Sequence, residues 1–289
     1  MNNKKSKPIK LVLGTAQFGL PYGVTRTDDH VDDTTLRHLL EQTEKSGIAM
    51  LDTSPAYGTS ETRLGQFNAA RSFALQTKTF GGQLDLTPKQ LEEQFSNSLK
   101  ALQTSEVESF LVHSVEQLKG TEGKSLIKFL QSLKDKGLTK RIGVSVYDAE
   151  DIDFTLELFK PDVIQLPVSI ADQRLIHSGH LDRLKNLGIT IQARSIFLQG
   201  LLLTNPSKLP SFFTEARSFI EDLRENFTST EAACMAFIRD NALVDEAVFG
   251  VHTSLHLHTI ISASREVIQK KQWENSGLPE KLVDPRLWK

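Results

Sequence analysis

Short apolar runs alternate with segments of helical period along the whole chain. The runs are Ile9–Leu13, Ile48–Leu51, Phe73–Leu75, Ser109–Val112, Ile142–Val146, Val163–Leu166, Thr190–Ala193 and Ala247–Val251. Several, such as KLVLG, IAMLD and DVIQLP, are apolar almost without a break, as strands covered on both faces are. Between them the spacing turns helical. From Thr87 to Gln103 a capping Thr87 and an early Pro88 precede a stripe of Leu91, Phe95, Leu99 and Leu102. Asp33 to Lys45 is closed by Gly47, Lys124–Lys136 by Gly137 and Leu181–Leu187 by Gly188, each glycine standing where a helix C-cap wants one. Glu231–Asn241 and Leu255–Arg265 complete the helical segments.

Eight strand–helix alternations predict parallel strands joined by crossover helices. That number, in 289 residues, points to α/β architecture of the closed (β/α)8 barrel type, the TIM barrel. An open doubly wound sheet is the competing arrangement. It normally carries G-x-G-x-x-G after the first strand, whereas Gly14, Gly19 and Gly23 are spaced differently here. No linker rich in Pro, Gly or Ser interrupts the alternation, so one domain over 1–289 is expected. The largest departure is an insertion near 199–229, after the seventh strand, on the side of a barrel where binding loops sit.

Composition narrows the classes. With 34 basic against 36 acidic residues, the chain lacks the bulk positive charge of a nucleic-acid binder. No apolar run is long enough to span a membrane, and the LVLG that follows the basic MNNKKSKPIK is too short for a secretory leader. A single Cys234 forms no intrachain disulfide, which predicts a reducing, cytoplasmic setting and a buried, unreactive thiol. Sixteen phenylalanines stand against three tyrosines, Tyr22, Tyr57 and Tyr147, so aromatic packing does not by itself call for tyrosine.

In a barrel of this kind chemistry sits where strands end. Asp52 ends the segment IAMLD, Lys78 ends FALQTK and His113 ends SFLVH, with Tyr57 in the loop after Asp52. One such residue at a strand end means little. Four on three successive strands make a candidate catalytic set, in which Asp52 pairs with Lys78 and the ammonium lowers the Tyr57 phenol pKa. Glu61 and Arg63 are expected to cap or pair on the following helix. Tyr22 and Tyr147, in loops on the same side, are candidate substrate contacts. The i, i+4 pair His252/His256, with His258, has the spacing of a helical metal pair. No carboxylate or cysteine stands nearby in sequence, so surface histidines and no metal are expected.

The stretches LVLGTAQFG, LDTSPAYGTSETRLG, TK at Lys78, LVHS at His113, IGVS and the tail DPRLW together resemble the aldo-keto reductases, over about residues 10–288. The most specific part is D-T-x-x-x-Y-G-x-x-E-x-x-L-G. The resemblance implies a (β/α)8 barrel and an NAD(P)H-dependent reduction of an aldehyde or ketone, a small-molecule carbonyl substrate. Asp52, Tyr57, Lys78 and His113 would be the tetrad, and Tyr57 the proton donor. It places the cofactor, NADP(H) or NAD(H), along Gly14, Thr15, Ser145, Gln165, Arg194, Ser195, Leu198, Gly200, Gly250, Thr253 and Ser254. The opening GTAQFGLPYGV also resembles bacterial reductase-like proteins of sugar and surface-polysaccharide pathways.

Three departures from the family pattern stand out. Ser145 is followed by Val146, where an asparagine usually helps hold the nicotinamide amide. Arg194–Ser195 replaces the usual aromatic residue before serine. No arginine or lysine occurs between Gly250 and Arg265, where the adenosine phosphate is usually gripped. A redox-neutral lyase or isomerase acting on a sugar derivative, or a non-catalytic barrel with its mouth blocked by the insertion, are the alternatives these departures leave. No interface signature announces an oligomeric state.

Overall fold

The computed structural model describes residues 9–24, 30–268 and 277–288. Lys4, Lys5 and Lys7 of the basic start of the chain lie outside these. Eight strands close into one parallel barrel in sequence order: β1 (Lys10–Gly14), β2 (Met50–Asp52), β3 (Ala74–Lys78), β4 (Val107–Val112), β5 (Thr139–Ser145), β6 (Val163–Pro167), β7 (Thr190–Arg194) and β8 (Glu246–Gly250). β1 pairs with β8, Gly14 opposite Gly250, which closes the ring. The predicted (β/α)8 barrel is therefore the observed one, and each apolar run lies in or beside its strand.

The helices follow from the same local chemistry. Pro88–Leu102 begins with a full capping box: Thr87 Oγ1 accepts from the Gln90 N–H, and Gln90 Oε1 accepts from the Thr87 N–H. Asp33–Lys45 is capped by Asp32 through the Thr35 N–H, and Ser254–Arg265 by Thr253 through the His256 N–H. Phe110 of β4 packs edge to face with Phe95 and Phe129 of the surrounding helices, with ring centroids 4.9–6.4 Å apart, so these three phenylalanines fill the layer between barrel and helices. Cys234 is fully buried, and burial pushes its thiol well above the ordinary range. No helix among the described residues is long and apolar enough to cross a membrane.

The barrel interior departs from the usual filling of branched aliphatic side chains. Val12, Met50 and Val248 form only a small apolar cluster there. Gln76, Gln165, Gln192, Glu246, Arg141 and Ser109 bond to one another through the rest. The insertion folds into 3-10 turns (Leu198–Leu203, Pro206–Lys208, Ser211–Ala216) and the helix Arg217–Asn226, packed beside Trp288 through Phe213.

Candidate active site

At the C-terminal end of the barrel, Lys78 Nζ donates to Asp52 Oδ1 at 2.6 Å, and both side chains are almost wholly buried. The expected pair is thus formed. The same Oδ1 accepts from Gln76 Nε2 at 2.6 Å and Gln165 Nε2 at 3.0 Å, so three donors converge on one carboxylate oxygen. Lys78 Nζ also reaches the Thr53 carbonyl at 3.2 Å and Tyr57 Oη at 3.3 Å. A buried ammonium without such partners would be prohibitively costly. Desolvation nevertheless holds the Lys78 pKa below its ordinary value.

Tyr57 is held by a close crossing of two loops. A Cβ on Gly19 would fall 2.0 Å from the Tyr57 carbonyl oxygen. Gly58 has φ +57, and its Cβ would lie 2.3 Å from the Gly19 oxygen. Only glycine fits at either place, which fixes the Tyr57 loop against the loop after β1. The expected lowering of the phenol pKa is not observed. Burial, and then the Asp52 carboxylate, push Tyr57 above its ordinary value. Removing the phenolate from water is the larger cause, and beside it Asp52, 2.6 Å from Lys78, offsets the ammonium that would favour the phenolate.

His113 packs edge to face on Tyr57, with ring centroids 6.0 Å apart. Its Nδ1 lies 3.0 Å from Ser54 Oγ, which already accepts the Ala56 N–H. A Ser54 hydroxyl donating to Nδ1 satisfies both groups and leaves the ring proton on Nε2. Burial, with the Lys78 charge beside it, lowers the imidazole pKa to about 4. Of the motif's other charged residues, Glu61 accepts from Thr77 Oγ1 and Ser98 Oγ, tying the helix after Tyr57 to β3, and burial raises its pKa. Arg63 pairs with Asp33 and donates to the Phe18 carbonyl.

A cavity of about 790 Å³ opens above Asp52 and Tyr57. Of the residues proposed to hold a cofactor, Gly14, Thr15, Gln165, Arg194, Ser195, Gly200 and Gly250 line it, as does Tyr22. Lys78 and His113 stand behind and beside Tyr57. Ser145 is buried at the end of β5, opposite Gln165. Leu198 packs into the hydrophobic core instead. Thr253 Oγ1 is spent capping its helix, and the groove there is lined by His252 and His256, whose rings lie 6.1 Å apart. Among the described residues no group of three or more His, Cys, Asp or Glu is arranged to hold a metal. Tyr147 lies between two guanidiniums, those of Arg194 and Arg286, rather than on the cavity wall.

The insertion lines this cavity rather than filling it. Gln199, Leu203, Thr204, Asn205 and Lys208 come from it. The turn that launches it is strained: Ser195, Leu198 and Gln199 all have φ between +45 and +60. Such a cluster of left-handed non-glycine residues is held only where the surroundings over-determine it, as at ligand clamps. Sequence reading missed Lys208, Gln17 and Glu231 as cavity residues, because nothing in their local spacing marks them.

The residues present suit a nicotinamide dinucleotide. The cavity runs from Tyr57 to the start of the helix Ser254–Arg265, and its floor passes Gly14 and Gly250. A Cβ on Gly250 would meet the Gln17 amide at 2.2 Å, so the backbone stays bare there. Residues 10–276 match the model of the Aldo/keto reductase family. The chain belongs to the aldo/keto reductase family. An aldo-keto reductase of Bacillus subtilis is 28% identical over 191 residues, covering 61% of this chain and 55% of that protein. An NADH-specific methylglyoxal reductase of Escherichia coli is 28% identical over 184 residues, 56% of each chain. The chain thus spans about half the length of these aldo/keto reductases. A solved aldo-keto reductase of Bacillus halodurans, in its holo form, superposes with a TM-score of 0.74 at 19% identity over 95% of both chains, which speaks for the shared fold.

Proposed function

We propose that this aldo/keto reductase reduces the carbonyl of an aldehyde or ketone, with Tyr57 as proton donor. The observation that carries the reading is the chain from half-buried Tyr57 to buried Lys78 and Asp52, with contacts of 3.3 and 2.6 Å, at the floor of a cavity large enough for a dinucleotide and a small substrate. A bound nicotinamide supplies the hydride that goes to the carbonyl carbon. Gln165 and Ser145 would hold its amide, and the strained turn 195–200 its phosphates.

The chain's own groups handle the oxygen. As negative charge grows on it, it becomes a stronger base than the phenolate and takes the Tyr57 proton. The raised Tyr57 pKa suits this direction, since the phenol stays protonated through the neutral range until the oxygen demands its proton. Lys78, 3.3 Å away, stabilises the phenolate that remains. Neutral His113, with its proton on Nε2, orients the carbonyl oxygen toward Tyr57. The single, fully buried Cys234 fits a reducing, cytoplasmic setting. The GTAQFGLPYGV resemblance ranks a sugar-derived carbonyl first.

Tyr57→Phe tests the reading. Turnover of aldehydes with NADPH or NADH should fall by at least about 100-fold, with cofactor affinity within about twofold of wild type. Retained turnover would remove Tyr57 from this role. Absence of binding by either nucleotide would remove the reductase reading.

A further inference from the structure

We propose that Arg194 is an anion-recognition residue of the catalytic cavity, so that the preferred substrate is a carbonyl compound bearing a carboxylate or phosphate. The proposal rests on the reductase reading above and goes beyond it by naming the substrate's charge.

Two guanidiniums stack on the Tyr147 ring. The Arg194 guanidinium lies 4.2 Å from the ring centroid, and that of Arg286 lies 4.5 Å from it. The two cations are treated differently by the fold. Arg286 is neutralised by Asp284 at 2.6 Å and Asp148 at 2.9 Å. Arg194 has no carboxylate partner among the described residues. Its Nη2 donates to the Val146 carbonyl at 2.9 Å and its Nη1 to Ser195 Oγ at 3.2 Å. These bonds and the Tyr147 stack fix the plane of the fork while leaving its charge uncompensated. Half-buried on the cavity wall, the fixed guanidinium keeps a charge that an anionic group of a ligand can meet.

The charge faces the reaction centre. Arg194 lines the same cavity as Tyr22 and Tyr57. Its field lowers the phenol pKa values of both, and those of His113 and Lys78. A cation here is ill suited to a nicotinamide ring, which turns cationic on oxidation. It is well suited to a planar carboxylate or a phosphate on the substrate, which a guanidinium grips with two parallel N–H donors.

The test compares matched substrates. Succinic semialdehyde is set against butanal, and glyceraldehyde 3-phosphate against glyceraldehyde, with wild type, Arg194→Gln and Arg194→Lys. Wild type should prefer at least one anionic partner by about tenfold or more in kcat/KM. Arg194→Gln should bring that ratio close to one, and Arg194→Lys should restore part of it. The pair that shows the preference distinguishes carboxylate from phosphate. Calorimetric titration with succinate and inorganic phosphate gives a readout without turnover, and binding should be lost in Arg194→Gln. A wild-type ratio near one for both pairs overturns the proposal. So does an unchanged ratio in Arg194→Gln accompanied by weaker nucleotide binding, which reassigns the residue to the cofactor. If no aldehyde is turned over, the reductase reading falls, and the titrations alone decide whether Arg194 binds anions.

Discussion

Gln192 donates its side-chain amide to Glu246 Oε2 at 2.7 Å, and this bond joins the catalytic end of the barrel to the opposite end. Above it, Gln192 Oε1 accepts from Gln76 and Gln165, both at 2.7 Å, and those two amides donate to Asp52. Below it, Glu246 accepts from Arg141 at 2.9 Å and from Lys10 at 3.1 Å. Burial alone would raise the Glu246 pKa, but these two cations hold it below the usual carboxylate range. A continuous polar column thus runs from Tyr57 through the barrel to solvent-exposed Lys10. Because each amide has one orientation that satisfies its neighbours, the column holds the Asp52 carboxylate in place.

Replacing Gln192 by leucine should therefore cost more than its change in volume suggests. The variant deprives the Gln76 and Gln165 amides of an acceptor and Glu246 of a buried donor. A loss of about 2–3 kcal/mol in urea unfolding is expected. A fall in kcat should accompany it as Asp52 loosens. A variant as stable as wild type would show the column to be incidental.

His113 predicts a pH dependence with a definite sign. Its folded pKa of about 4 lies below the unfolded value of 6.5, so the folded chain binds fewer protons in between. Stability is unaffected above pH 6.5 and is lost progressively as pH falls from 6.5 toward 4. At pH 5 the loss should be about 1–2 kcal/mol, allowing for water at the exposed edge of the ring. His113→Gln cannot titrate and should lose less stability between pH 7 and pH 5 than wild type, measured by urea midpoints. Equal slopes in the two proteins would show that His113 is not held neutral.

Gly81 limits how His113 can sit. A Cβ there would lie 2.9 Å from His113 Cγ and 3.0 Å from Nδ1, at the root of the ring rather than at a flexible tip. Gly81→Ala should shift the imidazole off Ser54 and lower kcat/KM by about tenfold or more, since small misplacements at a reacting group are expensive. Far-UV circular dichroism should remain that of wild type. Unimpaired kinetics would mean that the loop carrying Gly81 yields freely.

The candidate set was legible because Asp52, Lys78 and His113 stand at the ends of predicted strands, where a barrel exposes polar groups, and Tyr57 follows Asp52 in the next loop. The capped helix at Pro88 was legible for an equally local reason. The polar column was not. Its bonds join residues 116, 113 and 54 positions apart, and nothing near Gln76 or Gln192 in sequence marks them as partners. The direction of the Tyr57 shift escaped for a related reason. It depends on how completely Asp52 neutralises Lys78 and on burial, both properties of the packed site. Tyr147 was legible as a loop residue near the mouth, but its position between two arginines needed the tail residue Arg286 brought back over the barrel.

For the cation missing after β8, a lysine from elsewhere in the chain is the candidate replacement. Besides Arg194, Lys208 is the lysine or arginine that lines the cavity, and it comes from the insertion rather than from the helix Ser254–Arg265. It shares the cavity lining with His252 and His256, toward the helix N-terminus that favours phosphate. An exposed lysine on a phosphate monoester is worth about 1 kcal/mol. Lys208→Ala should then raise the Kd for NADPH by about three- to tenfold and leave that for NADH within about twofold, read by nicotinamide fluorescence titration. An equal change for both nucleotides in Lys208→Ala would place Lys208 against the shared part of the cofactor, and no change for either would leave it a surface residue of the insertion.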